Sequence, residues 1–337
     1  MNKKILYIGN NLNMKTKYPT ALLSLVTNLK NEGFDVIVSS NMQNKILRLS
    51  DMIFSTITKR KIVDYVLIDT YSTTNFYYAL IISQLARFFN LKYIPILHGG
   101  NLPNRLENNK FLSNLIFKYS YINVAPSNYL KFIFEKHRFK TLNIPNTISI
   151  EKYPFKKREF YKPRLLWVRS FKSIYNPILA LKVLILLKKE YPKATLCMVG
   201  PFLDTSYKES INYLKNNNLE NSVEFTNVIT KEEWHKKSES YDIFINTTNI
   251  DNTPVSVIEA MALGLPVVST NVGGIPFLIK HKIDGMLVEK NNVIEMKNAI
   301  TSILNNEYPN IAISARKKVE EYDWSVVRNK WLSILNS

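Results

Sequence analysis

Apolar residues in this chain gather into short runs, separated by longer stretches in which they recur every three or four positions. The runs Ile5–Gly9, Phe34–Ser39, Tyr65–Asp69, Tyr93–Leu97, Tyr121–Ala125 and Thr141–Ile144 lack in-and-out alternation and read as strands buried on both faces. The stretches between them, 20–32, 45–60, 75–89, 105–119 and 127–136, carry the helical period. Strand and helix alternate, so the pattern predicts a doubly wound α/β domain, a parallel sheet with helices on both faces. From Pro145 to Pro163 the rhythm stops in a polar, basic segment with three prolines. It resumes with strands at Leu165–Arg169, Thr195–Gly200, Val223–Phe225, Asp242–Asn246, Pro266–Thr270 and Met286–Val288, and helices at 176–190, 206–217, 231–240, 254–264 and 292–305. The expected organisation is a Rossmann-like domain over 1–150, a linker over 151–163 and a second Rossmann-like domain over 164–322. A packing helix over 323–337 follows, with Asp323 as cap and Trp324, Val327, Trp331 and Leu335 at helical spacing.

At 337 residues the chain is long enough for two cores, and 46% hydrophobic with 21% charged residues excludes disorder and a many-span membrane protein. The longest apolar stretches, Tyr77–Phe89 and Ile178–Leu187, fall short of a spanning helix, and Ile5–Ile8 is too short for a secretory signal core. A single cysteine, Cys197, excludes a disulfide framework, and His98, His137, His235 and His281 lack metal-ligand spacing. A reducing, cytoplasmic setting without structural metal is expected.

The net charge of +18 is uneven: residues 1–160 hold 23 Lys and Arg against 9 Asp and Glu, and residues 161–337 hold 22 against 18. The first half is therefore expected to meet something anionic. No zinc finger, RNP-type aromatic strand or GxxG clamp is present, which sets nucleic acid aside in favour of anionic lipid or a phosphorylated acceptor. Segment 45–61 places Ile46, Leu49, Ile53 and Ile57 on one helical face between basic ends. Such a stripe suits either packing on its own sheet or peripheral contact with an anionic membrane.

The nine glycines are few enough for their placement to matter, and six of them, Gly9, Gly99, Gly100, Gly200, Gly273 and Gly274, lie at the carboxyl ends of predicted strands. Ligands of open α/β sheets bind at that edge. The most informative window runs from Asp251 to Pro266, DNTPVSVIEAMALGLP. Thr253 is placed as N-cap and Pro254 at the first helical position, with Gly264 and Pro266 as stop signals. Between Asn252 and Ile279 the only ionisable side chain is Glu259, in an apolar helix. A buried carboxylate needs a partner, here either an internal arginine or ligand hydroxyls. The helix start offers free backbone N–H groups around Val255, Ser256 and Val257 and positive dipole charge, which suit a diphosphate, and Asn252 and Thr253 beside it are further donor-binding candidates.

Two acids eight residues apart, Asp251 and Glu259, followed by AMALGLPVVSTNVGGIP, resemble the pattern of the retaining family-four glycosyltransferases of the GT-B fold. The likeness extends to Leu165–Arg169 with its basic loop, to the MVGP turn at Gly200 and to IPNT before the linker. It implies two Rossmann-like domains facing each other across a cleft, with no cofactor beyond a nucleoside-diphosphate sugar as donor. It further implies that Glu259 binds the ribose, that Asp251 contacts sugar hydroxyls, and that Arg169 and Lys172 hold the diphosphate. His98, beside Gly99, would face the transferred sugar. Lys15 and Lys17 in the first loop, with Asp69, Tyr71 and Asn101 at strand ends, would line the acceptor site. The reaction implied is retaining, metal-independent sugar transfer to a lipid-linked or phosphorylated acceptor in bacterial surface polysaccharide or glycolipid assembly. A catalytically silent nucleotide-sugar-binding subunit and a sugar-nucleotide epimerase are the alternatives.

Overall fold

The computed structural model describes residues 3–11, 21–98 and 100–336. The chain forms two compact units, one reaching Ile148 and resuming at Tyr322, the other spanning Ser149–Glu321.

The first unit runs β1 (Lys4–Ile8), α1 (Ala21–Asn31), β2 (Asp35–Ser39), α2 (Lys45–Lys59), β3 (Tyr65–Thr70), α3 (Asn75–Phe88), β4 (Lys92–Leu97), α4 (Leu102–Asn108), α5 (Lys110–Phe117), β5 (Asn123–Ala125), α6 (Asn128–Lys136) and β6 (Thr141–Asn143). Its six parallel strands take the order β2-β1-β3-β4-β5-β6. The step from β1 to β2 runs opposite to all later steps, so right-handed crossovers put α1 on one face and α2, α3, α5 and α6 on the other. Leu6, Ile8, Val66 and Ile68 accordingly pack against Met52, Phe76, Ile116 and Leu130, while Ile5, Tyr7, Tyr65 and Leu67 pack against Leu22 and Leu29. The expected helix over 105–119 is two helices, because Asn109 leaves helical geometry at φ −129° and ψ 50°.

The second unit runs β7 (Arg164–Val168), α7 (Pro177–Lys188), β8 (Thr195–Val199), α8 (Ser206–Asn216), β9 (Val223–Asn227), α9 (Lys231–Ser238), β10 (Ile243–Asn246), α10 (Val255–Ala262), β11 (Val267–Thr270), α11 (Ile275–Leu278), β12 (Met286–Val288), α12 (Val293–Leu304) and α13 (Ile311–Glu320). Its strand order is β12-β11-β10-β7-β8-β9, again all parallel. The α/β, doubly wound expectation holds in both units. A final helix, α14 (Trp324–Leu335), belongs to the first unit, where Val327, Trp331 and Leu335 join Ile5, Tyr7, Ile94 and Ile96.

Residues 151–163, read as a linker, belong to the second unit. The reason is Arg158, whose buried side chain donates to the carbonyls of Ser238, Tyr241 and Gly264 and pairs with Asp242 at 3.7 Å. Among the described residues no helix is long and apolar enough to cross a membrane.

Candidate active site

Reversal of strand order creates a crevice at the carboxyl edge of a doubly wound sheet. In the second unit the reversal falls between β7 and β10. Arg169 leaves β7 there, anchored by its N–H to the Val199 carbonyl at 2.9 Å, and pairs with Asp251 in the segment after β10. Its guanidinium also lies 4.3 Å from the Tyr175 ring centroid. Burial lowers the Arg169 pKa, a shift that Tyr175 opposes. Two close backbone approaches fix this pair. Gly200, at φ +146°, touches the Arg169 carbonyl, and a Cβ there would collide with it. Gly273 and Gly274 lie against the Asp251 and Asn252 carbonyls in the same way, and the Gly274 N–H donates to Asp251 O at 2.9 Å. Lys172 stands exposed just before a 3-10 turn, Ser173–Tyr175, and its carbonyl accepts from the Tyr175 N–H at 2.8 Å.

The helix after Asp251 starts one residue later than expected. Pro254, extended at ψ 119°, occupies the N-cap position instead of Thr253, and no side chain caps the helix. The Val257 N–H bonds the Pro254 carbonyl at 3.1 Å, so the start offers Val255 and Ser256, for whose N–H groups the described residues supply no acceptor. Around it, Arg169 Nε, Asn246 Oδ1, Asn249 Oδ1, Thr253 Oγ1 and Ser256 Oγ are buried without a protein partner among the described residues. Buried polar atoms are normally satisfied, so this concentration at one sheet edge marks a place for a polar ligand. Asn252 is buried beside them, its N–H donating to Asp251 Oδ1.

Glu259 is 3% exposed. Its internal cation is a lysine rather than the arginine considered from sequence: Lys231 Nζ lies 2.7 Å from Oε1, and the Tyr153 hydroxyl donates to the same oxygen at 2.9 Å. Both bonds fall on Oε1, and no described protein donor reaches Oε2. Burial, then the neighbouring Glu259 charge, raises the Tyr153 pKa and keeps it a donor. The His235 ring lies 4.7 Å from Tyr153, and burial followed by the Lys231 charge lowers its pKa to about 4. Tyr153 and Lys231 escaped the sequence reading. The need for a partner to a lone buried acid was the available signal, but it does not say which of many cations supplies it.

In the first unit the reversal falls between β1 and β3. Here the structure brings Asp69, Tyr71 and His98 together: His98 Nε2 lies 2.9 Å from Asp69 Oδ1, and the Tyr71 ring stacks on the imidazole at 4.8 Å. Tyr7, not foreseen, donates its hydroxyl to Asp69 Oδ1. Asn101 is exposed, just before α4, and accepts from Asn104. Lys15, Lys17 and Gly99 lie outside the described residues. Among the described residues no cluster of three His, Cys, Asp or Glu side chains converges on a metal-sized site.

Comparison with known proteins adds family to geometry. Residues 149–323, a little over half of the chain, match the family model described as glycosyl transferases group 1. An uncharacterized glycosyltransferase of Haemophilus influenzae is 32% identical over 209 residues, 59% of this chain and 57% of that protein. The Campylobacter jejuni N,N'-diacetylbacillosaminyl-diphospho-undecaprenol alpha-1,3-N-acetylgalactosaminyltransferase is 25% identical over 235 residues, 68% of this chain and again 57% of that protein. The matched stretch thus spans a little over half the length of these relatives. Anabaena HepE, solved in complex with UDP and glucose, shares the fold at a TM-score of 0.75 with 18% identity, covering 100% of both chains. By its second unit above all, the chain belongs to the glycosyl transferases group 1 family.

Proposed function

We propose that this chain transfers a sugar, with retention of anomeric configuration and without a metal, from a nucleoside-diphosphate sugar to an acceptor hydroxyl. The observation that carries the reading is the set of buried, unpartnered polar atoms around Arg169 and the start of α10, one helix turn from a buried carboxylate with one oxygen to spare. The diphosphate meets the Val255 and Ser256 N–H groups and Arg169, and the ribose hydroxyls donate to Glu259 Oε2. Asp251 turns from Arg169 to the sugar hydroxyls, and Lys172 adds positive charge. The C1–O bond to the diphosphate breaks through an oxocarbenium-like transition state while the acceptor oxygen bonds C1 from the same face. The acceptor proton passes to the departing diphosphate oxygen, whose charge Arg169 stabilises.

The acceptor in this reading is lipid-linked or phosphorylated, in surface polysaccharide or glycolipid assembly; the name of the Campylobacter relative, with its diphospho-undecaprenol acceptor, supports the lipid link. Working at a cytoplasmic membrane face, the enzyme would rest on α2. The structure splits the stripe expected there: Leu49 and Ile53 pack on the core, whereas Ile46, Leu47, Phe54 and Ile57 are exposed, followed by Lys59, Arg60 and Lys61. An apolar outer face between cations suits an anionic lipid surface.

Incubation with a panel of nucleotide sugars, following nucleoside diphosphate release and the anomeric coupling of the product, tests the reaction. Release by the wild type that Glu259→Ala loses supports it. Equal binding by both proteins with release by neither identifies a silent binding subunit instead. Co-flotation with vesicles containing phosphatidylglycerol, but not with phosphatidylcholine alone, and its loss in Leu47→Ser/Phe54→Ser tests the lipid contact.

A further inference from the structure

Asp69 is the last residue but one of β3, at the edge where the first sheet reverses order, with a side chain only 4% exposed. Its Oδ1 receives two groups at once, the Tyr7 hydroxyl at 2.9 Å and His98 Nε2 at 2.9 Å. Three neighbouring strands thus deliver one acid, one imidazole and a tyrosine to a single oxygen. The backbone holds the same arrangement: the His98 N–H donates to the Thr70 carbonyl at 2.8 Å, and Tyr71 lies nearly flat on the imidazole, 21° between planes. Gly9, following β1, leaves room for the acid, since a Cβ there would fall 2.6 Å from Asp69 Oδ2.

An ionised carboxylate has only acceptor oxygens, so both partners of Oδ1 must donate. Tyr7 can do so, because burial and then Asp69 raise its pKa. His98 must then carry its proton on Nε2, which leaves the lone pair of the neutral ring on Nδ1. We propose that Asp69 is a positioning residue that fixes the plane and the Nε2–H tautomer of His98, and that sugar transfer depends on this fixation. The dependence rests on the proposed transferase reading; the fixation of the ring does not.

The test uses the full chain with 15N-labelled histidine. Long-range proton–nitrogen spectra report the tautomer of each of the four histidines, and His98→Gln assigns the signal. Wild type should show Nε2–H at His98. Asp69→Asn, checked for folding by its thermal melt, should populate the Nδ1–H form and lower kcat at least about tenfold, as loss of a carboxylate that orients a histidine does elsewhere, with KM for the sugar nucleotide little changed. Tyr7→Phe removes only the competing donor, so the tautomer should persist and the Nε2 proton should move downfield as its bond tightens. An unaltered tautomer in Asp69→Asn, or an altered one with full kcat, overturns the proposal. Should Asp69→Asn fail to fold, a Tyr7→Phe spectrum with no downfield movement overturns it. A wild type inactive with every donor defeats the transferase reading instead, while the spectra still decide what Asp69 does to the ring.

Discussion

The two units share a sheet design and place charged side chains at the same reversal of strand order, yet they satisfy the polar groups there to different degrees. In the first unit Asp69 Oδ1 receives Tyr7 and His98 at once, and Tyr71 covers the ring. In the second, Arg169 pairs with Asp251 while its own Nε and four neighbouring oxygens stay unpartnered among the described residues. The contrast runs against the charge of the chain. Residues 1–160 carry most of the excess Lys and Arg, but the Arg169–Asp251 pair at the second reversal belongs to the nearly balanced second half. Regional charge therefore steers the surface, and single buried ions define the site.

If the second crevice is the one that responds to developing charge, Arg169→Ala should produce the largest effect, a fall in kcat of roughly 10²–10³ with modest change in donor affinity. Steady-state kinetics on both crevices would collapse the contrast if Arg169→Ala cost less than Asp69→Asn. Next comes stability. Asp242→Asn strips a buried acid from Arg158 and Arg164 and should cost about 3 kcal/mol, read by urea unfolding, because one charge of a buried pair is left uncompensated. Tyr7→Phe, which removes one neutral donor in the first unit, should cost only about 1 kcal/mol. Lys231→Met should weaken nucleotide binding several-fold by titration calorimetry, since Glu259 then loses the cation that holds Oε1. The smallest effect concerns pH. His235 has a folded pKa of about 4, below its ordinary value of about 6.5, so the unfolded chain takes up the proton first. Stability present above about pH 6.5 should decline as pH falls toward 4, and a Tm series across that range should flatten in His235→Gln.

Much of the fold is legible because strands buried on both faces leave unbroken apolar runs, as in Tyr65–Asp69 and Tyr93–Leu97. Helix α13 left little trace, since Ala312 and Ala315 make up half of its buried face and barely mark a period. The helix start at Pro254 was misplaced by one residue because an extended ψ at proline is a backbone choice that composition does not reveal. At the site, the types of residue needed are visible in the sequence, but their pairing is not. Tyr153 lies 106 positions from Glu259 and Tyr7 lies 62 from Asp69, and both contacts follow from tertiary packing rather than local pattern. Glycine placement was more informative: Gly273 and Gly274 do support the Asp251 backbone directly.

Because α14 shares one face of the first sheet with α1, part of that face has to wait for it during synthesis. Ile5, Tyr7, Ile94 and Ile96 leave the ribosome early, whereas Trp331 and Leu335 follow only after the entire second unit has been made. At roughly 5–20 residues per second the delay amounts to about 10–40 s, during which a greasy surface is open to chaperones or to a neighbouring nascent chain. The second unit carries no such debt, since Ser149–Glu321 is continuous and can close its own interior as it emerges.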